Sequence, residues 1–223
     1  MTLSKNTFRG YLGSTRTTGG VSRLYEVNQV TPTVLSTSIS SNSTSITLPS
    51  GIENGQTIII FAGSQSNINT PSGYTLINRE QTLGNPKIAT FYKIANGTEG
   101  GTSLTVISDQ SVLGCAVLDF GIPDVEGTPV LSGTDQVTVA AILPRNASLV
   151  FLFSLCNSNS GNPTLNTGGS GFTTLIDNAD NGGVAVRELF VWSKISDGTE
   201  VDPVQVDWAG SNNVAAVMFS MTL

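Results

Sequence analysis

The sequence predicts an all-β protein, an antiparallel β-sandwich built from two similar halves and preceded by an extended N-terminal arm. Three observations carry that expectation. Short β-branched runs separated by Gly, Pro and Asn fill the chain from about Val34 onward, and no window shows a long helical period. Four sequence blocks occur twice in the same order. The charge changes sign at Glu26.

The arm comprises residues 1–33. Lys5, Arg9, Arg16 and Arg23 all precede the first acidic residue, Glu26, so the first 25 residues carry +4 from side chains. The remainder holds 6 basic residues (10 − 4) against 16 acidic ones, a net of −10. Phe8, Tyr11 and Tyr25 stand isolated among Gly and Thr, with no period that would let the segment build a core. Two readings stay open: a frayed terminus or first edge strand, and a docking arm that orders on a partner through Lys5, Phe8, Arg9, Tyr11, Arg16, Arg23 and Tyr25.

The body spans residues 34–223. After a Ser/Thr-rich stretch from Ser36 to Ser45, the candidate strands are Gln56–Ala62, Tyr74–Arg79, Lys87–Ala95, Ser103–Ile107 and Leu113–Phe120. The order then recurs. G-Q-T-I-I-I-F-A (Gly55–Ala62) resembles N-A-S-L-V-F-L-F (Asn146–Phe153), and S-G-Y-T-L-I (Ser72–Ile77) resembles S-G-F-T-T-L-I (Ser170–Ile176). K-I-A-N-G-T-E (Lys93–Glu99) aligns with K-I-S-D-G-T-E (Lys194–Glu200) at an offset of 101, as do Leu113–Leu118 and Val214–Phe219. The halves run over about 45–122 and 136–223. The short connection Pro123–Asp135 lacks linker composition, which favours one sandwich over two domains. Leu149–Phe153 is continuously apolar and is expected as a central strand covered on both faces.

Composition narrows the classes. Only 12% of residues are charged, against roughly 25% in an average soluble protein, while Ser, Thr, Asn and Gly number 95 of 223. A surface solvated by hydroxyls and amides resembles secreted or virion-exposed proteins. The longest apolar stretch, Leu149–Cys156, contains a Ser and falls short of the roughly 20 residues that span a bilayer, so no membrane insertion is expected. Residues 1–30 lack the apolar run of a secretory signal. Cys115 and Cys156 sit inside apolar runs and are expected as unpaired core residues.

No constellation of reactive groups emerges, and neither an enzymatic activity nor a cofactor is expected. The absence of His removes Ser-His-Asp and Cys-His designs and the commonest transition-metal ligand. The Asn96-Gly97 and Asp197-Gly198 dipeptides mark tight hairpin turns, beside which Glu99 and Glu200 are expected to be solvated. Asp177, Asp180, Glu188, Asp197 and Asp207 offer no marked carboxylate pair. Calcium binding by an Asp-rich loop stays open. Trp192 and Trp208, with Tyr74 and Phe172, are the candidate glycan-facing aromatics, weighed against a core role. The sequons at Asn42, Asn96 and Asn146 are expected by chance in this composition. An acidic body with a pI near 4.5 disfavours nucleic acid.

The running order of a G-x-hydrophobic strand (Gly55–Ala62), S-G-[YF]-T (Ser72–Thr75), an aromatic strand ending K-I-A-x-G-T-E (Phe91–Glu99) and a closing Val/Ala-rich strand (Leu113–Phe120) resembles a jelly-roll-type module of bacteriophage virion proteins. The resemblance covers most of residues 45–223 through both repeats. It implies a jelly-roll-like sandwich located in the virion as a capsid decoration, head or neck appendage, or tail component, with other virion proteins as partners and self-association. It carries over no active site. The alternative is a carbohydrate-binding module that recognises a host glycan.

Overall fold

The computed structural model describes residues 30–82, 84–107, 111–157, 162–178, 188–199, 201–208, 210 and 213–223. The first half supplies β1 (Val34–Ser43), β2 (Ser45–Thr47), β3 (Thr57–Ser64), β4 (Thr75–Glu80), β5 (Lys87–Ile94), β6 (Ser103–Thr105) and β7 (Ser111–Leu118). The second supplies β8 (Ile122–Glu126), β9 (Val130–Ser132), β10 (Gln136–Val139), β11 (Asn146–Cys156), β12 (Thr164–Leu165), β13 (Thr173–Asn178), β14 (Glu188–Asp197), β15 (Val204–Asp207) and β16 (Val214–Thr222). Every paired strand is antiparallel and no helix occurs among the described residues, so the all-β sandwich-like class is as the sequence predicts.

Each half closes its own strand pairing. In the first, β1 pairs β7, β2 pairs β6 and β3 pairs β5, first with last and inward. The second repeats this nesting with β8 and β9 on β16, β10 on β15, and β11 on β14. Each half therefore owns one large sheet, ordered β1-β7-β3-β5-β4 or β13-β14-β11-β16-β8, and one small sheet, β2-β6 or β10-β15-β12.

The large sheets stack face to face as one sandwich. β1 lies across from β13, β7 from β14, β5 from β16 and β4 from β8, pairings that interconvert when the halves are exchanged. A pseudo-twofold axis thus passes between β3 and β11. Around it the Phe61 ring centroid lies 5.8 Å from that of Phe151, 5.4 Å from Phe153 and 6.2 Å from Phe219. Gly63 is required at the same crossing, because a Cβ there would sit inside the Leu155 side chain.

Alternation along each central strand now has two apolar destinations. In β3, Ile59 and Phe61 enter the middle core, while Ile58, Ile60 and Ala62 face the small sheet of their own half. In β11, Phe151 and Phe153 enter the middle core, and Val150 and Leu152 the outer one. Leu149–Phe153 is thereby the doubly covered central strand that its continuous apolar pattern predicts. The same cover explains the wholly buried β7.

Three local expectations are corrected. The halves, expected over about 45–122 and 136–223, begin earlier, since β1 precedes residue 45 and β8 and β9 lie largely in the stretch Pro123–Asp135 expected as a connection. The Ser36–Ser45 stretch, taken to precede the first strand, is mostly β1 itself. Its alternation is carried by hydroxyls, as where Ser38 Oγ donates to the Thr47 carbonyl at 2.8 Å. Ile107, assigned to a strand over Ser103–Ile107, instead forms an isolated bridge with Ile68.

Candidate functional site

The best-conserved block between the halves is a fold device. Ala95 and the Asn96-Gly97-Thr98 turn follow β5, and the next strand, β6, belongs to the small sheet, so the turn is a corner between sheets and not the hairpin predicted from its dipeptide. Gly97 adopts φ 87° and Gly198 φ 85°, in the left-handed region open to glycine. Close approach adds to the requirement, since a Cβ on Gly198 would lie 2.9 Å from Asn146 Cβ.

Glu99 organises the first of these corners. Its carboxylate accepts the backbone N–H groups of Asn96 (3.1 Å), Gly97 (3.1 Å) and Thr98 (3.0 Å) and pairs with Lys93 Nζ at 2.7 Å. Burial pushes its carboxyl up, but the Lys93 hydrogen bond, the backbone N–H donors and the Lys93 charge outweigh that and hold it at about 2. The solvated glutamate expected here is therefore corrected: Glu99 is buried and turned inward. Glu200 lies outside the described residues, while Asp197 repeats the Asn96 role by accepting Thr199 N–H at 3.0 Å.

The two strongest repeated blocks meet in space. Lys93 Nζ lies 5.9 Å from the centroid of Tyr74, and Lys194 Nζ lies 5.1 Å from that of Phe172. The recurrence of an aromatic after Ser-Gly thus reflects a packing role. Trp192 and Trp208 are corrected as glycan-facing aromatics: they are 5% and 0% exposed in the outer core of the second half. Trp208 Nε1 donates to Ser154 Oγ at 2.8 Å, so even its polar edge is spent internally. Stacking on a sugar needs an exposed ring face, which neither residue has.

The candidate acids occupy separate settings. Asp177 is exposed on β13, Asp197 is held by Thr199, and Asp207 accepts from Gln136 Nε2 at 2.9 Å. Glu188 is buried on β14, 3.7 Å from the Cys156 thiol, and Asp180 lies outside the described residues. Among the described residues no group of three or more His, Cys, Asp or Glu is placed to hold a metal ion. Cys115 and Cys156 are buried and form no disulfide, as expected.

No family model matches the chain, and neither a curated protein nor a solved structure matches it. Any candidate site must therefore be read from geometry.

The arm residues Lys5, Phe8, Arg9, Tyr11, Arg16, Arg23 and Tyr25 lie outside the described residues. The place where the arm joins the body is described. Thr33 N–H donates to Asp119 Oδ1 at 2.8 Å, and Asp119 N–H to the Thr33 carbonyl at 3.1 Å, which ties the chain to the end of β7. Beside this tie runs a groove of about 450 Å³. Thr31 and Pro32 line it from the end of the arm, and Leu149, Leu175, Lys194 and Ile195 from the second half. No local pattern announces this groove, because its walls are 115 or more positions apart in the chain.

Every basic side chain of the body among the described residues has a specific neighbour. Lys93 and Arg145 pair with Glu99 and Asp124. Lys87 reaches Asn67 Oδ1, Arg79 reaches Thr70 Oγ1, and Lys194 covers Phe172.

Proposed function

We propose that this protein is a structural component of a bacteriophage virion, a capsid decoration or a head, neck or tail appendage, that docks through residues 1–33 and displays its β-sandwich. The observation that carries the reading is the charge step at Glu26, with +4 before it and −10 after it. The engaged cations among the described residues of the body support it, since Lys87, Lys93, Arg79, Arg145 and Lys194 are taken up by neighbours within the sandwich. An arm that pairs with an exposed sheet edge gains main-chain hydrogen bonds, while its aromatics supply contact area. Ordering it costs free energy, which many equivalent sites on a particle offset through avidity. On this reading the chain works by binding and display, without a catalytic step.

The test removes residues 1–29. The truncated protein is expected to keep its sandwich, because the described middle core draws on nothing before Val34, and to be missing from purified particles by mass spectrometry. Normal incorporation of the truncated chain rejects arm docking.

A second reading, a module that binds a host glycan, is favoured by one observation. On the small sheet of the second half, Gln136 Nε2 donates to Asp207 Oδ2 at 2.9 Å, Gln205 Nε2 to Gln136 Oε1 at 3.3 Å, and Asn166 Nδ2 to Asp207 Oδ2 at 3.4 Å. In the first half the polar side chains of the paired strands there are Ser and Thr, without amide or carboxylate. Exposed amides beside a carboxylate match sugar hydroxyls in hydrogen-bonding capacity. A glycan array with the intact chain and its Asp207→Ala variant tests this, and an array without signal removes it.

A further inference from the structure

We propose that β1 is a homodimer interface at which the strand pairs antiparallel with β1 of a second copy, Thr37 lying on the twofold axis. The interface is independent of the arm and of the virion reading. It rests on β1 being the one edge strand of the two large sheets, among the described residues, that joins length to an uncharged, proline-free stretch in unbroken register.

The internal repeat supplies the comparison. Five strands close the edges of the large sheets: β1, β4, β13, and β8 with β9, which pair with successive stretches of β16, β9 having only three residues. β4 has six residues, a register break between Leu76 and Asn78, and Arg79 and Glu80 at its end. β13 also has six residues, with a break between Thr174 and Ile176 and the exposed Asp177. β8, the counterpart of β1 in the second half, has five residues and contains Pro123, Asp124 and Glu126. Short length, bulges, proline and charge are the means by which sheets block further strand addition. β1 has ten residues, VLSTSISSNS, with neither charge nor proline. Its bulges lie towards its ends, leaving Ser36–Ser40 in unbroken register with Val117–Leu113. Its other edge bears no strand among the described residues.

The occupant follows from the pattern. Leu35 is 50% exposed and Ile39 51%, with exposed Thr37 between them on one face. That arrangement is nearly palindromic about Thr37. An antiparallel partner with the same sequence, centred there, sets Leu35 opposite Ile39 of the second copy, Thr37 opposite its own equivalent, and Ile39 opposite Leu35. Aliphatic and Thr–Thr pairs directly opposite each other are favourable cross-strand contacts. On the other face Ser36 meets Ser38, hydroxyl against hydroxyl. No carboxylate enters the seam of two bodies that are otherwise acidic. A twofold interface of this kind uses the same patch on both copies and closes at two, joining two five-stranded sheets into one continuous sheet.

Sedimentation velocity of the full chain over a wide concentration range is expected to show a dimer, twice the 23.2 kDa chain mass. Thr37→Lys and Thr37→Asp each place like charges across the axis and are expected to sediment as monomers with unchanged circular dichroism. An equimolar mixture of the two variants restores the dimer, since opposite charges then face each other. A dimer that survives in both single variants overturns the interface. So does a monomeric wild-type chain, or a mixture that stays monomeric. Loss of the dimer on removing residues 1–29, with Thr37→Lys still dimeric, instead assigns the partner strand to the arm and equally overturns β1 self-pairing.

Discussion

The Lys93 ammonium lies 2.7 Å from the buried Glu99 carboxylate and 5.9 Å from the centroid of Tyr74, so one lysine links two repeated sequence blocks. Glu99 in turn accepts three backbone N–H groups of the corner between β5 and β6. Glu99→Gln keeps the shape and removes the charge that these donors converge on. Hydrogen bonds to a buried charged group are worth about 1.5–3 kcal/mol, and the substitution is expected to lower stability at neutral pH by about that much in urea denaturation.

The same residue sets an acid limb. Its folded-state carboxyl titrates at about 2, below its ordinary value of 4.5. The depressed group binds protons more readily in the unfolded chain, so its stabilisation is complete above about pH 4.5 and fades as pH falls towards 2. The difference between wild type and Glu99→Gln is therefore expected to narrow across that window. A difference that stays constant from neutral pH down to pH 2 would show that the charge contributes nothing.

Gly63→Ala tests the crossing of β3 and β11. The added Cβ enters the Leu155 side chain, and overpacking of this kind costs about 1–3 kcal/mol. Leu155→Ala should relieve it. In a double-mutant cycle the two losses are expected to be less than additive by at least about 0.5 kcal/mol.

Phe61→Ala is expected to cost about 3–5 kcal/mol and to destabilise both halves together. Phe61 belongs to the first half but contacts Phe151, Phe153 and Phe219 of the second. Both tryptophans, Trp192 and Trp208, lie in the outer core of the second half and report on it alone. Their fluorescence midpoint in urea should move with the circular dichroism midpoint. A shift in one probe without the other would mean that the halves unfold independently.

The thiols offer a separate check on burial. Burial pushes the Cys115 thiol up to about 12, against a smaller opposing effect of its hydrogen bond with Ser38. Reactivity follows the thiolate. Neither Cys115 nor Cys156 should react with a disulfide reagent at neutral pH until the protein unfolds, and both should react in denaturant.

Much of the strand inventory is legible because apolar runs such as Gly55–Ala62 and Leu149–Phe153 leave few alternatives to buried strands. β1 was obscured because Ser and Thr carry its alternation, and a hydroxyl on a half-wet edge looks like loop composition. Trp192 and Trp208 misled for the converse reason: aromatic identity is shared by core and ligand platforms. Only the positions of Phe190 and Val206 around them separate the two. The arm groove was unreadable because Pro32 and Lys194 become neighbours only after the halves stack.

Local chemistry was enough to establish the repeated units: Gly97 and Gly198 mark their turns and β-branched runs their strands, while the charge changes sign at Glu26. Which faces meet was settled by folding alone. A doubly apolar strand such as β11 states that both sides need cover without saying what supplies it, and the answer, Phe61 on one side and Trp208 on the other, comes from segments 90 residues before Phe151 and 54 residues after Ser154. Burial is a property of the assembled surfaces, so the division into a shared middle core and two outer cores exists only in three dimensions.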